Sequence, residues 1–525
     1  MSVYTLPQYL EFHVYSHGFR VNVIRPETDV ILNRFVAEKY VIAQFSRQTS
    51  GVIKKLNEQI FGIRSYDGSF YHFHIEQLQP LLKYLAINYI DETRYSIQYY
   101  HLPEPTYVSL EATKAKSPRQ EQVNAIKFVL DSKEEADHSR LLMMPTGTGK
   151  TYTALMCACD LGVRTGIFVL SGFMENWKRD IKGNLEGVTD DNILIIQEGA
   201  KLRAAIKRAK ADDLKDIKFV LISLETMSVF YKDYEKQNGE LENTGYDITP
   251  VEFHSLLGIG FSIYDEVHKA LNLVYKSISY SHTALILGLS ATMESLNRKV
   301  EEIQQLMFPN TIRFDDIKMK KYIEMLAIRY EFLNYNPKRI RTTLYGSNMY
   351  NDIAYEQSIC NNPSLLRSYL EMQFYIMRHL FKGNCDFYRP GDKAIVFASS
   401  VKMCTHLTNY LKTKYPDLDV RRFAEGDPFE NLMEPDIRVT TIKSGSTGHD
   451  IPNLTYCQMT SNVQSIVANK QARGRLREIV GRNLRMCYTY CGQIDRHIEY
   501  HKSRVRMFVD GVKSIKELDV PFKLK

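Results

Sequence analysis

Residues 144–151 read Met-Pro-Thr-Gly-Thr-Gly-Lys-Thr. Gly147 and Gly149 leave the backbone free to turn its N–H groups inward, the shape that cradles phosphate oxygens. Lys150 can reach the β and γ phosphates of a nucleotide, and the Thr151 hydroxyl can ligate Mg²⁺. Thr146 and Thr148 complete the loop, and Met144 stands where its strict form carries glycine. A second chemical group is Asp265-Glu266-Val267-His268. A carboxylate just past a strand's C-terminal end sits where ligands bind in parallel sheets. There Asp265 would hold Mg²⁺ through water, and Glu266 would orient and deprotonate an attacking water. His268 either packs or couples the site to a neighbouring element. The chemistry would be phosphoryl transfer to water.

Such residues need a strand before each of them and a helix after the loop. Apolar runs supply the strands: 141–144, 165–170, 219–222, 261–264 and 284–287. Continuous apolar runs separated by helical stretches indicate a parallel sheet buried on both faces. A second set begins near Lys393, with runs at 394–397, 420–423, 437–441 and 454–457. Between the sets, from Met293 to Arg389, the chain is rich in Tyr and Met and reads as mostly helical. Residues 1–110 alternate with period two at Glu11–Tyr15 and Phe19–Ile24, turn at Asp67-Gly68, and turn helical from Ile75. Pro103, Pro105 and the polar stretch 111–117 read as a linker. The expected class is α/β: two parallel-sheet lobes with a small N-terminal α+β accessory domain. The expected domains are 1–110 accessory, 111–295 first lobe, 296–388 helical inter-lobe region, and 389–525 second lobe with a basic C-terminal segment.

Hydrophobic residues are 44% and charged residues 25% of 525, an ordinary globular composition that excludes disorder and small disulfide scaffolds. No apolar run approaches the roughly 18–20 residues of a spanning helix, and the start lacks a leader pattern. A soluble, cytoplasmic protein without membrane partners is expected. Eight scattered cysteines offer no zinc spacing and fit a reduced compartment. Net charge is +7, and residues 479–525 alone carry ten Lys/Arg against five Asp/Glu. That imbalance would favour a polyanion, through Arg482, Arg485, Arg496, Lys502, Arg504 and Arg506.

Together these motifs resemble superfamily 2 helicases of the DExH kind, over about residues 118–480. Arg119-Gln-Glu-Gln122 resembles the Q-motif, in which a glutamine (here Gln122) reads adenine. Residues 169–177, ending in Trp177, and 222–226 resemble segments that contact a nucleic-acid backbone. Ser290-Ala291-Thr292 resembles the motif that links hydrolysis to strand movement. In the second lobe, 395–399 resembles motif IV. Residues 446–454 resemble motif V, with Thr447 and Gly448 toward the strand and Asp450 toward the nucleotide. Gln471-Ala-Arg-Gly-Arg475-Leu-Arg477 resembles motif VI, with its last arginine one residue early and Glu478 in the usual place. Arg475 is therefore the leading arginine finger, Arg477 would need a shifted helical register, and Arg473 is a spare cation.

The resemblance implies two RecA-like motor lobes, with ATP and Mg²⁺ as cofactors and the arginines of one lobe acting on nucleotide bound by the other. The N-terminal layout is similar to the accessory domain of bacteriophage UvsW-type recombination helicases. That similarity implies ATP-driven unwinding or branch migration in recombination, replication-fork remodelling and repair. The implied partners are single-stranded, duplex or branched DNA and a single-strand-binding or recombination protein. The implied state is a monomer in a bacterial cytoplasm. An RNA helicase with the same motor and an ATP-gated nucleic-acid clamp are the alternatives. Removing residues 1–110 is expected to spare basal turnover.

Overall fold

A computed structural model describes residues 7–47, 53–131, 138–145, 147–291, 293, 297–315, 321–343, 350–445, 451–460, 462, 466–479, 481–509 and 511–525. They divide into two compact units, residues 1–45 with 55–317 and residues 46–54 with 318–525. Among the described residues no helix is long and apolar enough to cross a membrane.

The first unit begins with a five-stranded sheet. Its strands are β1 (Leu10–Val14), β2 (Gly18–Val23), β5 (Ile63–Arg64), β6 (Phe70–His74) and β7 (Tyr95–Tyr99), in the order β5-β6-β2-β1-β7. Strands β3 (Val41–Arg47) and β4 (Ile53–Ile60) form a separate two-stranded ribbon. The alternation read in β1 is real: Leu10, Phe12 and Val14 are buried, and Glu11 and His13 are partly exposed. The turn between β5 and β6 uses Gly68 at φ +79°, a conformation glycine adopts without strain.

This sheet is not a free-standing domain. Its core residues, with Leu32 and Phe35 of the helix Glu27–Lys39 and Leu81 and Leu85 of the helix Leu78–Ile87, form one cluster with Phe230, Tyr231, Val274 and Tyr275 of the first lobe. Polar contacts stitch the same seam. Tyr275 donates its hydroxyl hydrogen to Gln77 Oε1 at 2.5 Å, and His72 Nε2 lies 2.6 Å from the Ser279 carbonyl oxygen. Residues 1–110 and the first lobe therefore share a core, where separate domains are expected from sequence.

The first lobe is a seven-stranded, all-parallel sheet in the order β10-β11-β9-β12-β13-β8-β14. Its strands are β8 (Ser139–Met143), β9 (Thr165–Val169), β10 (Ile193–Ile196), β11 (Phe219–Ser223), β12 (Phe261–Tyr264), β13 (Leu285–Ser290) and β14 (Arg313–Phe314). Every residue of β9, β11 and β12 is buried, as helices on both faces require. Parallel strands bring all their C-terminal ends to one edge. Residues 144–151, 170–177, 224–226 and 265–268 therefore gather there from distant parts of the chain.

The second unit holds another seven-stranded parallel sheet, ordered β17-β18-β16-β19-β20-β15-β21. Its strands are β15 (Ile323–Tyr330), β16 (Lys393–Ala398), β17 (Val420–Phe423), β18 (Ile437–Thr441), β19 (Leu454–Met459), β20 (Leu484–Cys491) and β21 (Ser514–Asp519). The α/β class with two parallel-sheet lobes thus holds. The helical inter-lobe region at 296–388 does not. The helix Arg298–Met307 and β14 complete the first lobe. Strand β15 lies inside the second sheet, and the helices Asp352–Cys360 and Pro363–Met377 pack on that sheet. Ile-Glu-Met-Leu-Ala-Ile-Arg-Tyr is rich in helix formers. Burial between two partner strands overrides that propensity.

The basic C-terminal segment is likewise no solvated tail. It supplies β20, the helix Asp495–Phe508 and β21. Arg482 pairs with Asp392, and Arg485 pairs with Glu324 at 3.2 Å and lies over the Phe387 ring. Arg504 is 1% exposed, and Arg496 pairs with Glu499. Of the six cations expected to face a polyanion, Lys502 and Arg506 are exposed and form no ion pair among the described residues.

Candidate functional site

The phosphate loop runs from buried Met144, at the end of β8, into the helix Lys150–Leu161. Gly147 and Gly149 both stand at φ +89°. At Gly149 the need for glycine is doubled, since a Cβ there would come 2.3 Å from Gln122 Nε2. The Thr148 hydroxyl donates to the Pro145 carbonyl at 2.7 Å, tightening the turn. Thr151 follows Lys150 in the first helical turn, partly buried. Lys150 Nζ is buried and makes no hydrogen bond among the described residues. A buried ammonium without a partner is costly, which marks it as a group awaiting an anion. Thr146 lies outside the described residues.

Gln122 and Arg119 brace this loop. Gln122 Oε1 accepts from the Arg119 backbone N–H at 2.9 Å, while its Nε2 donates to the Thr148 carbonyl at 2.9 Å. Arg119 also donates to that carbonyl. Loop bracing is the role that the Gln122 contacts display.

Asp265 and Glu266 follow β12. Asp265 Oδ1 accepts from the Glu266 backbone N–H at 2.8 Å, and Oδ2 accepts from Trp177 Nε1 at 2.9 Å. Burial and the neighbouring Glu266 charge push the Asp265 pKa up to about 6, while Lys150 and the Trp177 hydrogen bond oppose that rise. Glu266 adopts φ +50°, a left-handed conformation that costs a non-glycine residue on the order of 1 kcal/mol. The backbone is held there by Val267 N–H to the Leu289 carbonyl at 3.1 Å and Lys269 N–H to the Glu266 carbonyl at 2.8 Å.

His268 couples this loop to the next strand. Its Nδ1 lies 2.9 Å from Ser290 Oγ, and its Nε2 lies 3.3 Å from Glu266 Oε2. Burial lowers its pKa to about 4, against the pull of Glu266, so the ring is neutral at pH 7. Ser290 is buried, and its carbonyl accepts from Met144 N–H at 3.0 Å. The ends of β8, β12 and β13 are therefore joined by hydrogen bonds. Thr292 lies outside the described residues.

Trp177 departs from the expectation that it faces a nucleic acid. It is 2% exposed and packs within the core beneath the sheet. Its indole N–H is engaged by Asp265. The segments beside it are linked to each other. The Glu225 carboxylate accepts from Ser171 N–H at 3.1 Å and from the Ser223 hydroxyl at 2.8 Å. Lys269 stands 4.8 Å above the Phe173 ring and 3.9 Å from Glu266. Residue types alone gave no sign of Glu225, Lys269 or Phe173.

In the second unit, Gln471 lies in the helix Ile466–Arg473, which ends before Arg475. Gly474 N–H still bonds back to the Lys470 carbonyl, then Arg475 and Leu476 follow in a turn. The shifted-helix condition on Arg477 therefore does not apply, because the chain has left the helix there. Arg475 is 5% exposed and Arg477 partly buried. The spare cation Arg473 is committed, donating to the Gly511 carbonyl. Arg504 Nε donates to Asn469 of this helix at 2.7 Å, and the Tyr322 hydroxyl donates to the Leu476 carbonyl at 3.1 Å. Thr447, Gly448 and Asp450 lie outside the described residues.

Residues 115–295, which hold the phosphate loop and the Asp265-Glu266 pair, match the family described as Type III restriction enzyme, res subunit. A curated relative, the Type I restriction enzyme EcoAI endonuclease subunit of Escherichia coli, is 22% identical over 405 residues. The match covers 71% of this chain and 46% of the relative, so the chain spans less than half of that protein's length. Solved structures with a similar course include the Hef helicase domain of Pyrococcus furiosus, 14% identical, covering 74% of this chain and 98% of that one at a TM-score of 0.43. Another is Dbp5 of S. cerevisiae bound to RNA and ADP BeF3, 12% identical, covering 78% of this chain and 90% of that one at a TM-score of 0.47.

Proposed function

We propose that this chain is an ATP-driven motor that moves along and unwinds DNA, with branched DNA as its working substrate. The observation that carries the reading is the buried Lys150 ammonium, without a hydrogen-bond partner among the described residues, at the foot of a glycine loop and close enough to Asp265 to influence its ionisation. An orphaned cation beside paired carboxylates fits a nucleotide phosphate with its divalent metal. Lys150 and the loop N–H groups would bind the phosphates. The Thr151 hydroxyl and Asp265 would hold Mg²⁺, which when bound neutralises phosphate charge. Glu266 would take a proton from the attacking water, with the neutral His268 ring 3.3 Å from its carboxylate. Arg475 is the residue assigned to the developing γ-phosphate charge, by its place in motif VI.

The DNA substrate and the recombination role rest on the N-terminal likeness to UvsW-type proteins. The test is ATP turnover at matched salt with no polymer, single-stranded DNA, duplex DNA, a four-way junction and single-stranded RNA. Stimulation greatest with branched DNA is the expected result. Stimulation by RNA alone overturns the substrate, and bound nucleotide without stimulated turnover replaces the motor with a clamp.

A further inference from the structure

Trp177 is the only tryptophan in 525 residues, and it is spent on a carboxylate. Its indole N–H donates to Asp265 Oδ2 at 2.9 Å while the ring is buried. It stands on the helix Met174–Asn184, whose N-terminal end continues directly from residues 171–173. A rigid helix turn thus joins that segment to a carboxylate 88 residues further along the chain. A second connection runs beside it. Phe173 lies under the Lys269 ammonium at 4.8 Å, and Lys269 stands 3.9 Å from Glu266. The 171–173 segment is also tied laterally to the segment after β11. Ser171 Oγ is 2.9 Å from Ser223 Oγ, and both hydroxyls and the Ser171 N–H reach Glu225. Displacing residues 171–173 would therefore pull on both carboxylates of the Asp-Glu pair, by separate routes.

We propose that Trp177 is a positioning residue that sets the orientation of Asp265 according to the state of the 171–173 segment, with the Phe173–Lys269 contact acting in parallel on Glu266. The inference rests on the motor reading given under Proposed function, together with the likeness of residues 169–177 and 222–226 to segments that contact a nucleic-acid backbone. The coupling passes through a hydrogen bond to a charged acceptor, the stronger and more directional kind. It is distinct from the contact between His268 and Ser290, which joins the loop to β13 on its other side.

The test uses the full chain as wild type and as Trp177→Phe, which keeps a buried aromatic body and removes the donor. Turnover is measured over ATP concentration, with and without a single-stranded dT oligomer whose binding is followed by anisotropy. The expected result is KM for ATP and oligomer affinity within twofold of wild type, with oligomer-stimulated kcat down five- to tenfold. A purely structural role would move KM, oligomer affinity and melting temperature together with kcat. Stimulated kcat within twofold of wild type overturns the proposal.

The sole tryptophan gives an independent readout that needs no turnover. In wild type its emission is expected to shift when the oligomer binds without nucleotide, and unchanged emission at saturating oligomer overturns the coupling. Mg²⁺ with ADP alone is expected to shift the emission of wild type but not of Asp265→Asn. Equal responses in the two proteins overturn the Trp177–Asp265 link whatever any polymer does. If no polymer stimulates wild-type turnover, the motor reading fails, and this last comparison still decides the link.

Discussion

At the scale of single residues, the site is a set of charges held where water cannot relax them. Glu266 sits at φ +50° with His268 at 3.3 Å, an arrangement suited to a base whose direction matters more than its mobility. Glu266→Gln keeps the shape and removes the proton acceptor. It is expected to bind ATP within a few-fold of wild type while turnover drops about 10²–10⁴-fold, the usual worth of a general base, in parallel binding and turnover assays. Arg475→Ala is expected to lose about 10³-fold in kcat with little change in ATP affinity. Arg477→Ala tested alongside decides between the two, and the larger loss marks the principal finger. The phosphate loop, the Asp-Glu pair and motif VI were legible because each is contiguous. The indole on Asp265 was not, because a hydrogen bond between residues 177 and 265 leaves no local signature in either stretch.

At the scale of elements, the seam between the N-terminal sheet and the first lobe is unusually close. A Cβ on Gly18 would lie 1.9 Å from the Ser279 carbonyl oxygen and 2.8 Å from that of Phe73, both backbone atoms. Gly18→Ala is therefore expected to push β2 off the helix Leu271–Ser279 and lower the melting temperature by several degrees, roughly 2–4 °C per kcal/mol for a unit this large. Histidines crowd the same unit. Burial pushes His72, His74 and His254 from the ordinary 6.5 down to about 3, and His17 well below it. A depressed histidine contributes its full stability above pH 6.5 and loses it progressively as pH falls toward the folded-state value. At pH 5 each such ring costs about 2 kcal/mol. Asp265 and Glu235, both raised by burial, offset part of this. Thermal melts are expected to show marked destabilisation between pH 7 and 5, and a flat profile would place these rings in water.

At the scale of the whole molecule, the two units differ in independence. In the first, an apolar cluster runs from Leu10 through Tyr275 to Ile312, so residues 1–110 cannot be lifted away without exposing part of the lobe's own core. A fragment beginning at residue 111 is expected to be insoluble or to melt without cooperativity, in contrast to the spared turnover expected from sequence. The described core clusters of the second unit draw only on residues 323–524. A fragment of residues 318–525 is expected to give a cooperative transition by circular dichroism. A cooperative 111–317 fragment, or a molten 318–525 fragment, would reverse this assignment.

The sequence by itself determined the class of fold and which contiguous residues are candidates for chemistry. Glycines, a lysine and carboxylates act within a few residues of one another, and apolar runs report burial on both faces of a strand. Tertiary structure alone decided the domain limits, the fate of the basic segment and the partners of each site residue. Strand β15 entered a sheet despite its helix-forming residues, because two neighbouring strands satisfy its backbone and bury its side chains. Arg482, Arg485 and Arg504 turned inward to carboxylates, rings and Asn469 that lie 35 to 161 residues away. Trp177 became a donor to Asp265 because parallel strands bring their C-terminal ends to one edge. Contacts of that kind depend on strand order, which spacing along the chain does not encode.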